Sequence, residues 1–138
     1  MIVGGSEIVL DCVINPQKNL SEETKKGLVD KLTDVARDGF GTEIGRDDVD
    51  NHVFGVQILY LMTNCQEVIG FAGFDILELS KRVLYLHGIV VRRDFQKRGL
   101  FYRVNNAALA RDDFDFLSMR TQNPVVYAAT KKLVAELC

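Results

Sequence analysis

This sequence has few of the features that mark a disulfide scaffold, a metal site or a membrane protein. Its three cysteines, Cys12, Cys65 and Cys138, are odd in number and far apart, without a C-x-x-C pair. Such spacing argues against a zinc site and a disulfide framework, and it favours a reducing compartment. No apolar run approaches the roughly 18 residues that a transmembrane helix needs. The first residues also lack the charged and apolar segments of a signal peptide. We therefore expect a cytoplasmic protein with no membrane association and no bound metal.

Neither sign of charge dominates the chain, which carries 17 basic and 19 acidic residues for a net charge of −2. A protein that binds nucleic acid over much of its surface would need a strongly basic balance, so we expect no nucleic-acid partner. Hydrophobic residues make up 47% of the chain and charged residues 26%, which is ordinary for a globular protein. At 138 residues, the sequence is expected to form a single domain over 1–138.

The pattern of apolar residues predicts an α/β fold in the order β-α-(loop)-β-β-β-α-β-α. The predicted strands are 7–14, 56–63, 67–77, 83–91 and 114–121. The predicted helices are 21–39, 99–112 and 124–137, and the polar segment 41–51 is predicted as a loop or a short helix. The short links between the three central strands favour antiparallel pairing. We therefore expect a mixed, mostly antiparallel central sheet that is flanked by helices.

The most informative segment runs from Ile89 to Phe101, where a strand passes through a basic turn with a glycine directly into a helix. The first N–H groups of a helix are unpaired and carry partial positive charge, and a glycine lets the backbone approach a phosphate closely. Four basic side chains add to the positive field of this turn: Arg92, Arg93, Lys97 and Arg98. The residues alone leave two interpretations open, an anion-binding turn and a basic surface turn that only begins a helix.

The same turn resembles the signature of the GCN5-related N-acetyltransferase (GNAT) superfamily, a Q/R-x-x-G-x-G/A loop that opens a helix after a strand. The resemblance implies the GNAT fold and acetyl-CoA as the acyl donor. The loop amides would hold the pyrophosphate of acetyl-CoA, and here the loop reads Gln96, Lys97, Arg98, Gly99, Leu100 and Phe101. The preceding strand would pair with the pantetheine arm through the backbone of Ile89, Val90 and Val91. Phe101 departs from the usual glycine or alanine, and its side chain would narrow the site if it pointed inward.

A second segment, 120–133, resembles the strand-to-helix region of the same family. Asn123 matches the asparagine that opens the helix and contacts the pantetheine region. The tyrosine that commonly protonates the departing CoA thiolate is replaced by Thr130. Tyr127 lies one turn away and is our candidate for that acid, with a half-buried structural tyrosine as the alternative.

A general base is also needed, because an amine must lose a proton as it attacks a thioester, and histidine suits this task near neutral pH. Alternation along the strand predicts that four side chains share one face: Tyr85, His87, Ile89 and Val91. In one branch of the GNAT superfamily, histidines occupy the positions that match Tyr85 and His87 and are proposed to relay the substrate proton. We therefore predict His87 as the base and Tyr85 as its helper. A histidine that is hydrogen-bonded inside the sheet is the alternative.

The resemblance to the GNAT superfamily implies an N-acetyltransferase that moves the acetyl group of acetyl-CoA to a primary amine of a small molecule or peptide by direct attack. The backbone N–H of Val90 or Val91 would polarise the thioester carbonyl. One alternative is a non-catalytic acyl-CoA-binding module on the same fold, which Thr130 favours. Another is a nucleic-acid-binding domain that uses the turn at 92–98, which the acidic composition disfavours.

The family fold usually adds two more strands after its last helix, and this sequence ends before them, at Cys138. An uncovered strand at 114–121 would expose its N–H and C=O groups. We therefore expect a second copy of the chain to pair along that edge, which gives a homodimer. The alternative is a monomer in which the last helix, or the first strand folded differently, covers the edge. The resemblance places the acceptor amine mostly at 39–54 and in the missing strands, and neither has a pattern that identifies the amine.

Overall fold

Five strands and four helices form the part of the chain described by the computed structural model, residues 8–39 and 44–119. The strands are β1 (Ile8–Ile14), β2 (Ile58–Asn64), β3 (Glu67–Glu78), β4 (Arg82–Val91) and β5 (Phe116–Met119). The helices are α1 (Pro16–Asn19), α2 (Glu22–Gly39), α3 (Arg46–Phe54) and α4 (Leu100–Leu109). A 3₁₀ turn at Arg93–Phe95 lies between β4 and α4.

The strands form one sheet in the order β1-β2-β3-β4-β5. The first three pairings are antiparallel, and β5 pairs with β4 in parallel. A parallel pair needs a long crossover, which the 3₁₀ turn and α4 supply here. The predicted mixed, mostly antiparallel sheet is therefore confirmed. One element was not predicted, the short helix α1, which Pro16 begins. Of the two options for the polar segment 41–51, the short helix is present as α3.

Local sequence signals explain several element ends. Ser21 caps α2, because its Oγ accepts a hydrogen bond of 3.1 Å from the backbone N–H of Thr24. The helix α2 is described up to Gly39, the residue at which its end was predicted. The β2–β3 hairpin turns through Cys65 and Gln66, whose φ angles of 52° and 69° are both left-handed. Such angles match the twist of two antiparallel strands joined by a two-residue loop.

Both faces of the sheet are covered by apolar side chains, because consecutive strand residues point to opposite sides. On one side, which we name the α4 face, α4 packs on the sheet through Leu100, Val104 and Ala108. The strand residues of that face include Ile58, Tyr60, Met62, Ala72, Phe74, Leu84 and Leu86. The opposite side, which we name the α2–α3 face, packs against helices α2 and α3. Its strand residues include Val13, Leu59, Leu61, Phe71 and Val90.

Arg82 fixes β5 beside the start of β4. Its backbone N–H donates to Asp115 Oδ2 over 2.8 Å, and its carbonyl accepts from the Asp115 N–H over 2.8 Å. Its guanidinium lies 2.6 Å from Asp112 Oδ2. The Asp113 N–H and then Arg82 hold the pKa of Asp112 below its usual value. These contacts set the parallel register in which Val83 lies opposite Phe116.

Gly39 lets the end of α2 approach β4 closely. A Cβ at this position would lie 2.9 Å from the Val91 carbonyl oxygen and 3.1 Å from Val90 Cγ1. The first of these atoms belongs to the backbone of a paired strand and has little freedom to move. The end of α2 is therefore held against the part of β4 that leads into the basic turn.

Replacing Gly39 with alanine should lower the melting temperature by several degrees, because overpacking of this kind costs about 1–3 kcal/mol. Gly27→Ala is the matched control in the same helix, since nothing lies within 4 Å of a Cβ there. That change should raise the melting temperature, because alanine is favoured over glycine in a helix by about 0.5–1 kcal/mol. Calorimetry of both variants measures the effect, and shifts of equal size and sign would contradict the close approach.

Some predictions fall outside the described residues or remain untested. The helix predicted at 124–137 lies beyond Met119, and the predicted strand 114–121 is described only as far as that residue. The homodimer expected from that edge therefore stays a prediction. Within residues 8–39 and 44–119, none of the helices combines the length and apolar character that crossing a membrane requires.

Candidate active site

A β-bulge in β4 places His87 and Gly88 side by side. Gly73 of β3 lies opposite Gly88, and the next residue, Phe74, lies opposite Leu86. His87 is therefore the extra residue of β4, left without a partner of its own. The bulge opens a segment of β4 toward the α2–α3 face, where a cavity is lined by both His87 and Gly88.

The bulge also overturns one prediction, that strict alternation puts Tyr85, His87, Ile89 and Val91 on one face. Tyr85 and His87 do lie together, with their rings in contact. Ile89 and Val91 instead pack in the core of the α4 face. One inserted residue shifts the alternation by one, so every side chain beyond it moves to the other side of the sheet.

His87 is paired with Asp75 on the neighbouring strand β3, through a hydrogen bond between His87 Nε2 and Asp75 Oδ2. The other oxygen of Asp75, Oδ1, accepts a hydrogen bond of 2.8 Å from the backbone N–H of Gln57. An ionised carboxylate only accepts hydrogen bonds, so Nε2 of His87 carries the proton in this pair. The atom of a neutral His87 that can accept a proton is therefore Nδ1.

Tyr85 contacts the imidazole through its ring. The two ring centroids are 4.8 Å apart and the ring planes meet at 88°, an edge-to-face arrangement. Asp75 is the cross-strand partner of Tyr85 and the diagonal neighbour of His87. The His87 side chain is 41% exposed and the Asp75 side chain 24%. The imidazole is thus held from two sides and still reached by solvent, which suits a group that exchanges protons.

The cavity beside His87 lies between the sheet and helices α2 and α3 and has a volume of about 350 Å³. Its walls are mostly apolar, and its described lining residues are Ala36, Ile44, Asp48, Val49, Val53, Leu59, Phe71, Gly73, His87, Gly88 and Val90. Asp48 and His87 are the two polar side chains among them. An apolar concavity with a few polar groups is the usual form of a small-molecule site.

The basic turn predicted from sequence has the backbone geometry of an anion site. Lys97 and Gly99 have φ angles of 65° and 74°, both left-handed, and Gly99 is the N-cap of α4. Residues 96–99 are exposed, whereas Leu100 is buried and anchors the helix start. Nothing lies within 4 Å of a Cβ built at Gly99, so the space outside the turn is open. The amides of Gly99 and Leu100 lie at the start of α4, ahead of the helical hydrogen bond that the Arg103 N–H donates to the Gly99 carbonyl over 3.1 Å.

Three hydrogen bonds fix the turn to the rest of the protein. The Arg92 N–H donates to the Ile69 carbonyl over 2.8 Å. The Arg93 N–H donates to Asp38 Oδ2 at the end of α2, also over 2.8 Å. The Gln96 side-chain amide donates to the Val91 carbonyl over 2.9 Å. The Gln96 side chain therefore braces the turn, and the amides nearer Gly99 are better placed to meet a ligand.

The side chains around the turn leave its open side free for an anion. Phe101 packs against the apolar cluster of the α4 face, which explains how it can replace a small residue of the motif. The Arg98 guanidinium lies over the Phe95 ring, 4.8 Å from its centroid. Arg93, Lys97 and Arg98 are exposed and supply positive charge at this end of β4.

Sequence reasoning missed two carboxylates that shape the site. Asp75 interrupts the apolar strand β3, and that interruption was the one available signal. Asp38 near the end of α2 gave no signal, because only the fold brings it to Arg93. Asn123 and Tyr127, which were predicted to contact the cofactor and to act as the acid, lie outside the described residues. Within residues 8–39 and 44–119, no cluster of three His, Cys, Asp or Glu could hold a metal ion.

Comparison with known proteins identifies the family and the fold. The model of the acetyltransferase (GNAT) family matches residues 36–112, more than half of the 138-residue chain. This matched region includes the bulge, the Asp75–His87 pair and the basic turn. A search among curated proteins found no match to the sequence.

Several solved structures have the same fold at low sequence identity. A possible acetyltransferase from Clostridium difficile 630 is 12% identical, with a TM-score of 0.63, over 91% of this chain and 88% of that one. AAC(6')-Iy in complex with the bisubstrate analogue CoA-S-monomethyl-acetylneamine is 14% identical, with a TM-score of 0.65, over 93% and 90% of the two chains. Ribosomal-protein-alanine N-acetyltransferase from Brucella melitensis biovar Abortus 2308 is 13% identical, with a TM-score of 0.60, over 96% and 91%.

Proposed function

The chain belongs to the acetyltransferase (GNAT) family, and from that premise we propose how this acetyl-CoA-dependent N-acetyltransferase holds its donor and moves its proton. The observation that carries the proposal is that one strand, β4, links the two halves of the site. His87 and Gly88 border the cavity on this strand, and the basic turn at its end leads into α4. A donor anchored at the turn and extended along β4 would present its thioester to the cavity.

The turn binds the pyrophosphate of acetyl-CoA. The amides of Gly99 and Leu100 lie where a helix start attracts an anion, and the open space at Gly99 admits the phosphates. Exposed Lys97 and Arg98 add charge of the right sign. The pantetheine arm pairs with the backbone of β4 at Ile89, Val90 and Val91.

The acceptor amine enters the cavity and attacks the thioester carbonyl carbon. A bond forms between the amine nitrogen and this carbon, the carbon–sulfur bond breaks, and CoA leaves as the thiolate. His87 takes the proton that the amine loses, at Nδ1, because Nε2 is engaged with Asp75. The Asp75 carboxylate then stabilises the imidazolium that forms. The backbone N–H of Val90 or Val91 polarises the carbonyl, and Tyr127 stays our prediction for the acid that protonates the thiolate.

Free thiol release from acetyl-CoA, measured with and without a panel of primary amines, tests this function. Amine-dependent release, together with CoA binding in a titration, is the expected result. Binding of CoA without release for any amine would instead favour the non-catalytic acyl-CoA-binding module. We also propose that the protein works in the cytoplasm as a homodimer on a small-molecule or peptide amine.

Asp75→Asn should lower kcat by about 10- to 100-fold, the value of one hydrogen bond to a charged group. The change removes the charge that stabilises the imidazolium, while an amide oxygen can still accept the Gln57 N–H. The KM for acetyl-CoA should not change, and such a split between kcat and KM is not expected from a general loss of structure. Asp34→Asn is the matched control on the exposed side of α2. Equal kcat values for the two variants would remove Asp75 from the mechanism.

A further inference from the structure

The lining and the volume of the cavity beside His87 indicate which kind of acceptor amine it can bind. This inference rests on the proposed function. We propose that the acceptor is a primary amine on a compact apolar body, and that Gly88 sets the size of that body. Three observations carry this proposal: the chemistry of the cavity walls, the placement of the single carboxylate among the described lining residues, and the space beside Gly88.

The described walls suit an apolar group better than a hydroxylated one. The α2 and α3 side contributes Ala36, Ile44, Val49 and Val53, and the sheet contributes Leu59, Phe71 and Val90. None of these side chains can satisfy the hydroxyl groups of a sugar, and an unpaired polar group in such surroundings is costly. A volume of about 350 Å³ lies at the small end of ligand cavities. A small aryl or alkyl body meets both conditions.

Asp48 is the one carboxylate among the described lining residues, and it lies at the α3 side of the cavity. It lies in the first turn of α3, is exposed, and accepts a hydrogen bond of 3.3 Å from the Gly45 N–H through Oδ2. An amine arrives from neutral water as an ammonium ion, which this carboxylate attracts. The ammonium ion releases one proton to solvent before it attacks, and His87 takes the second proton as the amide bond forms. One carboxylate matches one cationic centre, so a monoamine fits this lining better than a polyamine.

Gly88 leaves room that any other residue would fill. Nothing lies within 4 Å of a Cβ built there, although the residue lines the cavity next to His87. Gly73 on the opposite strand differs, since a Cβ there would lie 2.9 Å from Val56 Cγ1. A side chain at position 88 can therefore project into the cavity without disturbing the packing, which makes this position a determinant of substrate size.

The test compares 2-phenylethylamine and hexylamine with ethylamine, glucosamine and spermidine, by release of free CoA from acetyl-CoA. The two larger apolar amines should have kcat/KM values at least about tenfold above those of glucosamine and spermidine. Preference for glucosamine or spermidine would overturn the inference and leave the proposed function intact. Release of CoA with none of the five amines would count against the proposed function and the inference together.

Gly88→Val should lower kcat/KM for 2-phenylethylamine by about tenfold or more, and for ethylamine by much less, because the added side chain occupies the space of the larger body. Gly88→Ala should also lower kcat/KM more for 2-phenylethylamine than for ethylamine, but by a smaller factor. This variant provides the test if the valine variant does not fold. If the variant that folds loses kcat/KM by the same factor for both amines, Gly88 does not set the size of the acceptor.

Asp48→Asn should raise KM for 2-phenylethylamine about three- to fivefold, the value of a partly exposed charge pair. The asparagine oxygen can still accept the Gly45 N–H, so the start of α3 is kept. Asp47→Asn is the matched control, since Asp47 neighbours Asp48 on α3 but lines a separate, polar cavity. An equal rise in KM for both variants would show that only the net charge of α3 matters, which contradicts a specific role for Asp48.

Discussion

His87→Gln should lower kcat by about 10²–10⁴ at neutral pH, which is the usual contribution of general base catalysis. Glutamine keeps a side-chain donor for Asp75 but has no nitrogen that accepts a proton in this range. The wild-type rate should rise with pH as the base loses its proton, and this rise should be lost in the variant. Steady-state rates across pH, with saturating acetyl-CoA, measure both effects.

CoA affinity provides the internal control for this variant, because His87 lies at the bulge and not at the basic turn. A titration with CoA should give the same Kd for wild type and His87→Gln. Tyr85→Phe keeps the ring that contacts the imidazole and removes only the hydroxyl, so it separates packing from proton transfer. A pH–rate profile that is unaltered in His87→Gln would contradict the assignment and move the base to Tyr85 or to bulk water.

Gly99→Asp should weaken CoA binding by at least about tenfold. Gly99 has a φ of 74° and open space beside it, so a carboxylate there would lie where the pyrophosphate is expected. At about 4 Å from another negative charge near a protein surface, the repulsion is on the order of several kcal/mol before screening by salt. Titration calorimetry at low salt measures the loss.

Gly99→Asn is the matched control for that change. Asparagine has nearly the shape of aspartate and tolerates left-handed angles better than most residues, but it carries no charge. The difference in Kd between the two variants therefore isolates the electrostatic part and should shrink as salt is added. Identical CoA affinity for wild type and both variants would remove the turn from the binding site.

The order of the described elements and the glycine turn that opens α4 could be predicted because both depend on local signals. Ser21 caps the start of α2 by a rule that involves a few neighbouring residues. The glycine between a strand and a helix at position 99 is likewise visible without the fold. These predictions needed no knowledge of which strands pair.

The geometry of the candidate active site depends on pairing between strands, and for that reason it could be predicted only in part. His87 was proposed as the base from its chemistry, but its pairing with Asp75 depends on the register of β3 and β4. The bulge at His87 leaves no mark in a pattern of alternating residues, so Ile89 and Val91 were assigned to the wrong face. Asp38 meets Arg93 across 55 residues of sequence, a contact that only the assembled fold creates.

The central claim is that the CoA donor binds along β4, the same strand that holds the proton acceptor His87. A crystal structure of the complex with CoA would test this claim most directly. We expect the pyrophosphate to lie within hydrogen-bonding distance of the Gly99 and Leu100 amides. We also expect the thiol sulfur to lie at the mouth of the cavity beside His87. CoA bound away from the turn, or a thiol directed to the α4 face, would contradict it.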